Sequence, residues 1–227
     1  MVLPTTPYPF ESTPEGELII SETLYLEYFK ALSTGNIELC TQIVRELLEN
    51  DIEIKNLYQS LFQRSLYQIG QMWEMNLCSV SVEHLATAIT ERMFSLVYPR
   101  IFFGYPKEKK VVISCIQGEL HQIGARMVAD IFEINKWDAI FLGANTPTDD
   151  LFNFISSKRP NAVGLSMSIY FHFPVLLEII EKLYNNFPTL TIFVGGQGLK
   201  QTSSLDFGKN TGIIYLESLE KLEEHLK

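Results

Sequence analysis

The sequence predicts an α/β protein in which an N-terminal four-helix bundle precedes a doubly wound, five-stranded parallel sheet. Three observations carry that expectation. Between residues 21 and 102 apolar residues recur at helical spacing, with no strand-like run. After the stretch 104–110 the period changes, and short β-branched runs alternate with amphipathic segments. The segment Gly118-Glu119-Leu120-His121-Gln122-Ile123-Gly124 follows the first of these runs, so a histidine stands at the carboxyl end of a strand.

Residues 1–17 hold Pro4, Pro7, Pro9 and Pro14 among Thr and Glu and are expected to form a poorly ordered leader. The helical cap is expected over 18–103. Ser21 is placed to cap a first helix carrying Leu24, Tyr25, Tyr28, Phe29 and Leu32, with a stop near Gly35. Asn36 caps a second with Ile37, Cys40, Ile43, Val44, Leu47 and Leu48. A third, longer helix carries Ile54, Leu57, Tyr58, Leu61, Leu66 and Ile69 and extends its apolar stripe to Trp73. The fourth runs from about Ser81 to Val97 and ends at Pro99. Short connections between four helices suggest an antiparallel bundle.

The second domain is expected over 104–227. Its strands are read at 111–116, 139–142, 162–165, 191–194 and 213–215, with helices at 122–135, 148–157, 173–185, 199–203 and 216–226. Five such units with right-handed crossovers fit the flavodoxin-like strand order, whose switch point lies between the first and third strands. No internal repeat or low-complexity tract interrupts the chain.

Composition narrows the function. An apolar fraction of 46%, a charged fraction of 20% and a net charge of −9 describe an ordinary acidic globular chain. The charge argues against direct binding of nucleic acid, which needs clustered Lys and Arg. Lys107, Lys109 and Lys110 form the one basic cluster and read as a solvated linker. Cys40, Cys78 and Cys115 show neither metal-type pairing nor a disulfide framework, and Cys115 reads as a buried small hydrophobe. No apolar run is long enough for a bilayer, so no membrane partner is expected and a cytoplasmic location is the default.

The strand ends hold the chemistry. Glu119 and His121 follow the first strand, Ser166 and Ser168 the third, and Gly195, Gly196 and Gly198 the fourth. A phosphate-accepting receiver would need an acid where Ser166 stands. A flavin site would need a phosphate-cradling loop where Glu119 places a carboxylate.

The joint pattern Glu119-x-His121-x-x-Gly124, then Ser166-x-Ser168 about 40 residues on, then Gly195-Gly196, resembles the signature of the cobalamin-binding fold. That family's pattern is Asp-x-His-x-x-Gly, Ser-x-Leu and Gly-Gly. The resemblance implies that His121 is the lower axial ligand of cobalt. It implies that Gly124 and the Gly195-Gly196 turn make room for the cofactor's displaced nucleotide tail, and that Ser166 bonds the base of that tail. It covers the chain from Ser21 onward, since such modules carry a four-helix cap. Two positions depart from the pattern: Glu119 replaces Asp, and Ser168 replaces Leu. The acid's task is to accept the second ring N–H of the histidine, and the extra methylene of Glu119 is expected to require rearrangement.

In the cap, Trp73 and the pair Glu83-His84 resemble the Trp…Glu-His motif of light-sensing transcription regulators that bind adenosylcobalamin. The resemblance implies that Trp73 and Glu83 contact the upper ligand and that His84 is a possible upper cobalt ligand. Taken singly, Trp73 reads equally as a core aromatic, Glu83 as a first-turn carboxylate near a Ser81 cap, and His84 as a buried imidazole. The implied function is a cobalamin photoreceptor or sensor and not an enzyme. Those regulators carry a DNA-binding domain ahead of the cap, where this chain has its short leader. Output is therefore expected through a regulatory or effector protein or a homo-oligomer. The alternative is a corrinoid methyl carrier, loaded as methylcobalamin and serving methyltransferase partners. A third reading retains the fold for another chromophore or an interface.

Overall fold

The structure is a computed structural model that describes residues 11–12, 18–101, 104, 107, 109–201 and 212–226. It divides into two compact units, Met1–Arg100 and Ile101–Lys227.

Among the described residues the first unit is built on four helices. Helix α1 (Glu22–Thr34) begins where Ser21 Oγ accepts the Leu24 N–H at 3.3 Å, and ends on left-handed Gly35. Helix α2 (Ile37–Glu49) is capped by Asn36, whose Oδ1 accepts from the Leu39 N–H at 3.1 Å. Helix α3 (54–74) is a continuous rod of α-helix (Ile54–Asn56), a π-helical segment (Leu57–Gln63) and α-helix again (Arg64–Glu74). The wider π turn lets two adjacent pairs, Leu57-Tyr58 and Leu61-Phe62, face inward together. Helix α4 is Val80–Ile101. Helices α1, α3 and α4 meet over buried rings, with Tyr28 against Phe62 at 6.1 Å, and Tyr58 and Phe62 against Phe94 at 5.2 and 5.8 Å.

Three expectations for this unit change. Pro99 does not end α4 but lies inside its last turn. Arg100 explains why the helix continues: its guanidinium donates to Asp51 Oδ1 at 2.8 Å and to the Leu48 carbonyl, tying the last turn of α4 to the end of α2. The helix also starts earlier than Ser81, with the Glu83 N–H donating to the Ser79 carbonyl at 3.3 Å. Trp73 leaves the apolar stripe of α3 and is 48% exposed. The expected leader lies outside the described residues except for Glu11–Ser12, which pair antiparallel with Leu18–Ile19.

The second unit is a five-stranded parallel sheet. Its strands are β1 (Lys109–Cys115), β2 (Trp137–Phe141), β3 (Ala162–Ser166), β4 (Thr191–Gly195) and β5 (Ile213–Leu216). Their order is β2-β1-β3-β4-β5, the flavodoxin-like arrangement, and the crevice between β1 and β3 is its switch point. Helices α5 (Ile123–Ile134), α6 (Thr148–Lys158), α7 (Phe173–Asn186) and α8 (Leu219–Leu226) complete the winding. Alternation along each strand sorts the faces. Val112, Val163, Leu165, Ile192 and Val194 pack with Leu151 and Ile155 of α6 and Leu176, Ile179 and Leu183 of α7. On the opposite face Phe132 of α5 meets Trp137 and Phe193 edge-on at 5.2 and 5.5 Å.

The basic cluster is not a solvated linker. Lys109 and Lys110 are the first residues of β1; Lys109 lies over the Trp137 ring, Lys110 pairs with its register neighbour Asp138 at 3.8 Å, and Lys107 pairs with Glu133. The segment read as a helix at 199–203 is a 3₁₀ turn, Gln197–Gln201, with the remainder outside the described residues. The last helix starts three residues late because Leu216 completes β5, and Ser218 then accepts from the Lys221 N–H at 3.3 Å.

Candidate functional site

The loop between β1 and α5 is shaped by its own turn. The Glu119 N–H donates to the Ile116 carbonyl at 3.0 Å, and Gly118 supplies the positive φ of +88° that the turn requires. Asn145, in the loop after β2, holds the turn from outside: its Oδ1 accepts the Gly118 N–H at 2.8 Å, and its own N–H donates to the Glu119 carbonyl at 2.8 Å. Gln117 Oε1 accepts the Thr148 N–H at 3.2 Å. The turn therefore directs Glu119 inward.

Glu119 is fully buried, at 0% exposure, and every donor around it is placed by the fold. Its Oε1 lies 2.5 Å from His121 Nδ1 and accepts the His121 N–H at 2.9 Å. Its Oε2 accepts the Ser168 and Ile169 N–H groups, at 2.8 and 3.0 Å, from the loop after β3. Burial by itself raises the carboxyl pKa; donation from the His121 ring and then from the amides of His121, Ile169 and Ser168 outweighs it and brings the value down to about 2. The carboxylate is therefore ionised at neutral pH. The extra methylene of glutamate does not break the link to histidine, because the side chain spans from His121 to the β3 loop.

His121 itself is 52% exposed at the strand-end crevice. With Nδ1 donating to Glu119, the neutral ring carries its lone pair on Nε2, the tautomer suited to binding a metal. Cys115 is no competitor: burial, then the negative charge of Glu119, push its thiol up to about 12. Among the described residues no group of three or more His, Cys, Asp or Glu is placed to hold a metal ion.

The other expected residues are distributed around this pair. Ser166 lies in register between Cys115 and Gly195, at the carboxyl end of the central strands. Ser168 reaches the site through its backbone N–H. Gly124 sits in the first turn of α5, and a Cβ there would enter open space. Gly196 is constrained by the protein itself: with φ at +113°, a Cβ would come within 2.2 Å of the Met167 carbonyl oxygen. In the first unit, a left-handed Asn76 ends α3, and the Leu77 N–H donates back to the Met72 carbonyl at 2.7 Å. Trp73 is thereby held at the end of the helix. His84 is 75% exposed and lies 3.6 Å from Glu83 Oε2, while Glu83 Oε1 accepts from Thr87 at 3.2 Å. A core role for Trp73 and a buried imidazole at 84 are both excluded by this exposure. Two residues of the second unit were missed. Asn145 was signalled by an Asn in the tight Gly143-Ala144-Asn145 turn, and His172 by its place just before Phe173-Pro174 at a helix start.

Comparison with known families follows the same division. A model described as B12 binding domain matches residues 109–220, and a second of the same description matches residues 24–98. This chain belongs to the B12-binding family. The chain is 26% identical over 143 residues to the HTH-type transcriptional repressor CarA of Myxococcus xanthus, a match spanning 63% of this chain and 49% of the repressor. The B12-binding chain thus spans about half the length of that relative. It is 23% identical over 159 residues to trimethylamine corrinoid protein 1 of Methanosarcina acetivorans, covering 67% of this chain and 72% of that protein. The structure of the Methanosarcina barkeri monomethylamine corrinoid protein has the same fold. It superposes with a TM-score of 0.73 at 13% identity, covering 87% of this chain and 94% of that one. The B12-binding assignment makes the cofactor class a corrinoid. Among the described residues no helix is long and apolar enough to cross a membrane.

Proposed function

We infer that this protein is a cobalamin sensor that takes adenosylcobalamin, with His121 as the protein's lower ligand to cobalt. The observation that carries the reading is the 2.5 Å contact between His121 Nδ1 and buried Glu119. One imidazole is a poor site for a bare ion, but it would suit a metal already held in a macrocycle whose own base can be displaced. When bound, the cofactor supplies a cobalt centre and, in its adenosyl form, a light-labile cobalt–carbon bond.

The chain's own residues divide the rest of the work. Glu119 keeps the proton on Nδ1 and so directs the lone pair of Nε2 outward. With the cofactor bound, Gly124 would leave space beside the start of α5 for the nucleotide tail, and Ser166 would meet its base. Trp73 would offer exposed aromatic surface to an adenosyl group, Glu83 would contact that group, and His84 would be the alternative nitrogen ligand. The likeness to the repressor supports the sensor reading, as does the exposure of Trp73 and His84, which leaves both rings available to a ligand. Output passes to an effector protein or another copy of this chain.

The full chain, loaded with adenosylcobalamin in the dark and then illuminated, should change both its absorption spectrum and its mass in light scattering. An unchanged spectrum and mass would exclude the sensor. The corrinoid protein relative supports a second reading, in which the chain carries methyl groups for methyltransferases. That reading requires preference for methylcobalamin over adenosylcobalamin and indifference to Trp73→Ala.

A further inference from the structure

Glu119 has one close neighbour without a role in that scheme. His172 ends the 3₁₀ turn Tyr170–His172 and stands immediately before α7. Its Nδ1 lies 3.5 Å from Glu119 Oε2, is buried, and has no hydrogen-bond partner. A buried nitrogen without a partner is destabilising, so a polar side chain held there calls for an explanation. The opposite edge of the ring packs on the turn that carries Glu119: a Cβ built on Gly118 would meet His172 Nε2 at 3.3 Å. The imidazole is thus wedged against the Glu119 turn, with one nitrogen 3.5 Å from the carboxylate oxygen that is not on His121.

We propose that His172 is a positioning residue for the axial histidine, donating from Nδ1 to Glu119 Oε2 and thereby keeping Oε1 on His121. The proposal rests on His121 being the cobalt ligand. The Ser168 and Ile169 amides hold Oε2 from the backbone, and His172 adds a side-chain donor from the start of α7. Closing the gap to about 3.0 Å, an ordinary N–H···O length, needs a shift of roughly half an ångström. The geometry also states what a replacement must retain. Asparagine at 172 offers an N–H near the position of Nδ1, whereas leucine fills the space without a donor.

The test uses the full chain loaded with hydroxocobalamin and reduced to the cobalt(II) state, read by electron paramagnetic resonance. With nitrogen-15 in the protein's histidines, a histidine on cobalt splits each cobalt line into two, a splitting distinct from the triplet given by the cofactor's own nitrogen-14 base. Wild type and His172→Asn should show that splitting, while His172→Leu should lose part of it and bind cobalamin roughly tenfold more weakly. Wild-type splitting and affinity in His172→Leu would overturn the proposal. His121→Ala separates this from failure of the axial assignment, because it must abolish the splitting. If His121→Ala keeps the splitting, the axial assignment is wrong and the proposal falls with it. In the cofactor-free chain, nitrogen-15 spectra should show His121 protonated at Nδ1 in wild type and in His172→Asn, with a shifted tautomer ratio in His172→Leu. An unchanged ratio there would overturn the positioning role independently of cobalamin.

Discussion

Glu119 joins Ser168 to His121 across the switch point of the sheet: the Ser168 N–H donates to Oε2 at 2.8 Å while Oε1 of the same carboxylate faces His121 Nδ1 at 2.5 Å. One side chain thereby fastens the loop after β1 to the loop after β3. Aspartate, one methylene shorter, cannot serve both ends without moving a loop. Glu119→Asp should destabilise the cofactor-free chain by about 1–3 kcal/mol, read as a fall in urea midpoint at unchanged slope. Glu119→Gln keeps the length but turns an N–H₂ toward a donor, and should cost at least as much. A wild-type midpoint in both variants would show that the bridge does not contribute to folding.

The same carboxylate predicts an acid limb in stability. Its folded pKa of about 2 lies below the ordinary 4.5, so its contribution is fully present above pH 4.5 and is lost as pH falls through 2. The shift corresponds to about 3 kcal/mol. Urea midpoints of wild type and Glu119→Gln should converge as the pH drops across that window and stay parallel between pH 6 and 8. Convergence above pH 6 instead would assign the effect to another group.

Much of this arrangement was legible in the sequence because local rules and tertiary packing agree. Ser21, Gly35 and Asn36 cap where side-chain chemistry says they should, and the inner strands β1, β3 and β4 are mostly buried, which makes their apolar runs continuous and easy to read. The misreadings occur where a distant partner decides. Pro99 reads as a stop because its ring removes a backbone donor, yet Arg100 is held by Leu48 and Asp51, which lie about fifty positions away in the chain. Trp73 reads as core because helical spacing does not say which face of the last turn remains exposed. At the site, His121 and Glu119 are legible as a motif. Their link to Ser168 and Ile169 is not, since it is made by backbone N–H groups whose direction the residue types do not reveal.

The glycines of the motif should separate into a folding class and a binding class. Gly196→Ala would drive a Cβ to 2.2 Å from the Met167 carbonyl oxygen at a φ of +113°. Backbone atoms cannot yield as a side-chain tip does, so a loss of about 3 kcal/mol or more is expected, with or without cofactor. Gly124→Ala meets nothing within 4 Å and lies in a helix, where alanine is favoured by up to about 1 kcal/mol. Its thermal stability should hold or rise. Its affinity for cobalamin should nonetheless fall roughly tenfold, equivalent to about 1.4 kcal/mol, because the new methyl occupies the space assigned to the nucleotide tail. Unaltered affinity would mean that the tail runs elsewhere.

Trp73 allows the same separation in the helical unit. Removing a buried tryptophan typically costs about 3–5 kcal/mol. Trp73 is 48% exposed, so Trp73→Ala should lower stability by well under that amount, on the order of 1 kcal/mol. If the indole serves the adenosyl group, its loss should weaken adenosylcobalamin binding while sparing methylcobalamin, whose upper ligand is too small to reach across an aromatic face. Titration of both cofactors into wild type and variant, followed by absorption, measures that difference directly. Equal weakening for the two forms would assign Trp73 to the corrin ring or to protein contacts, and would shift the balance toward a methyl carrier.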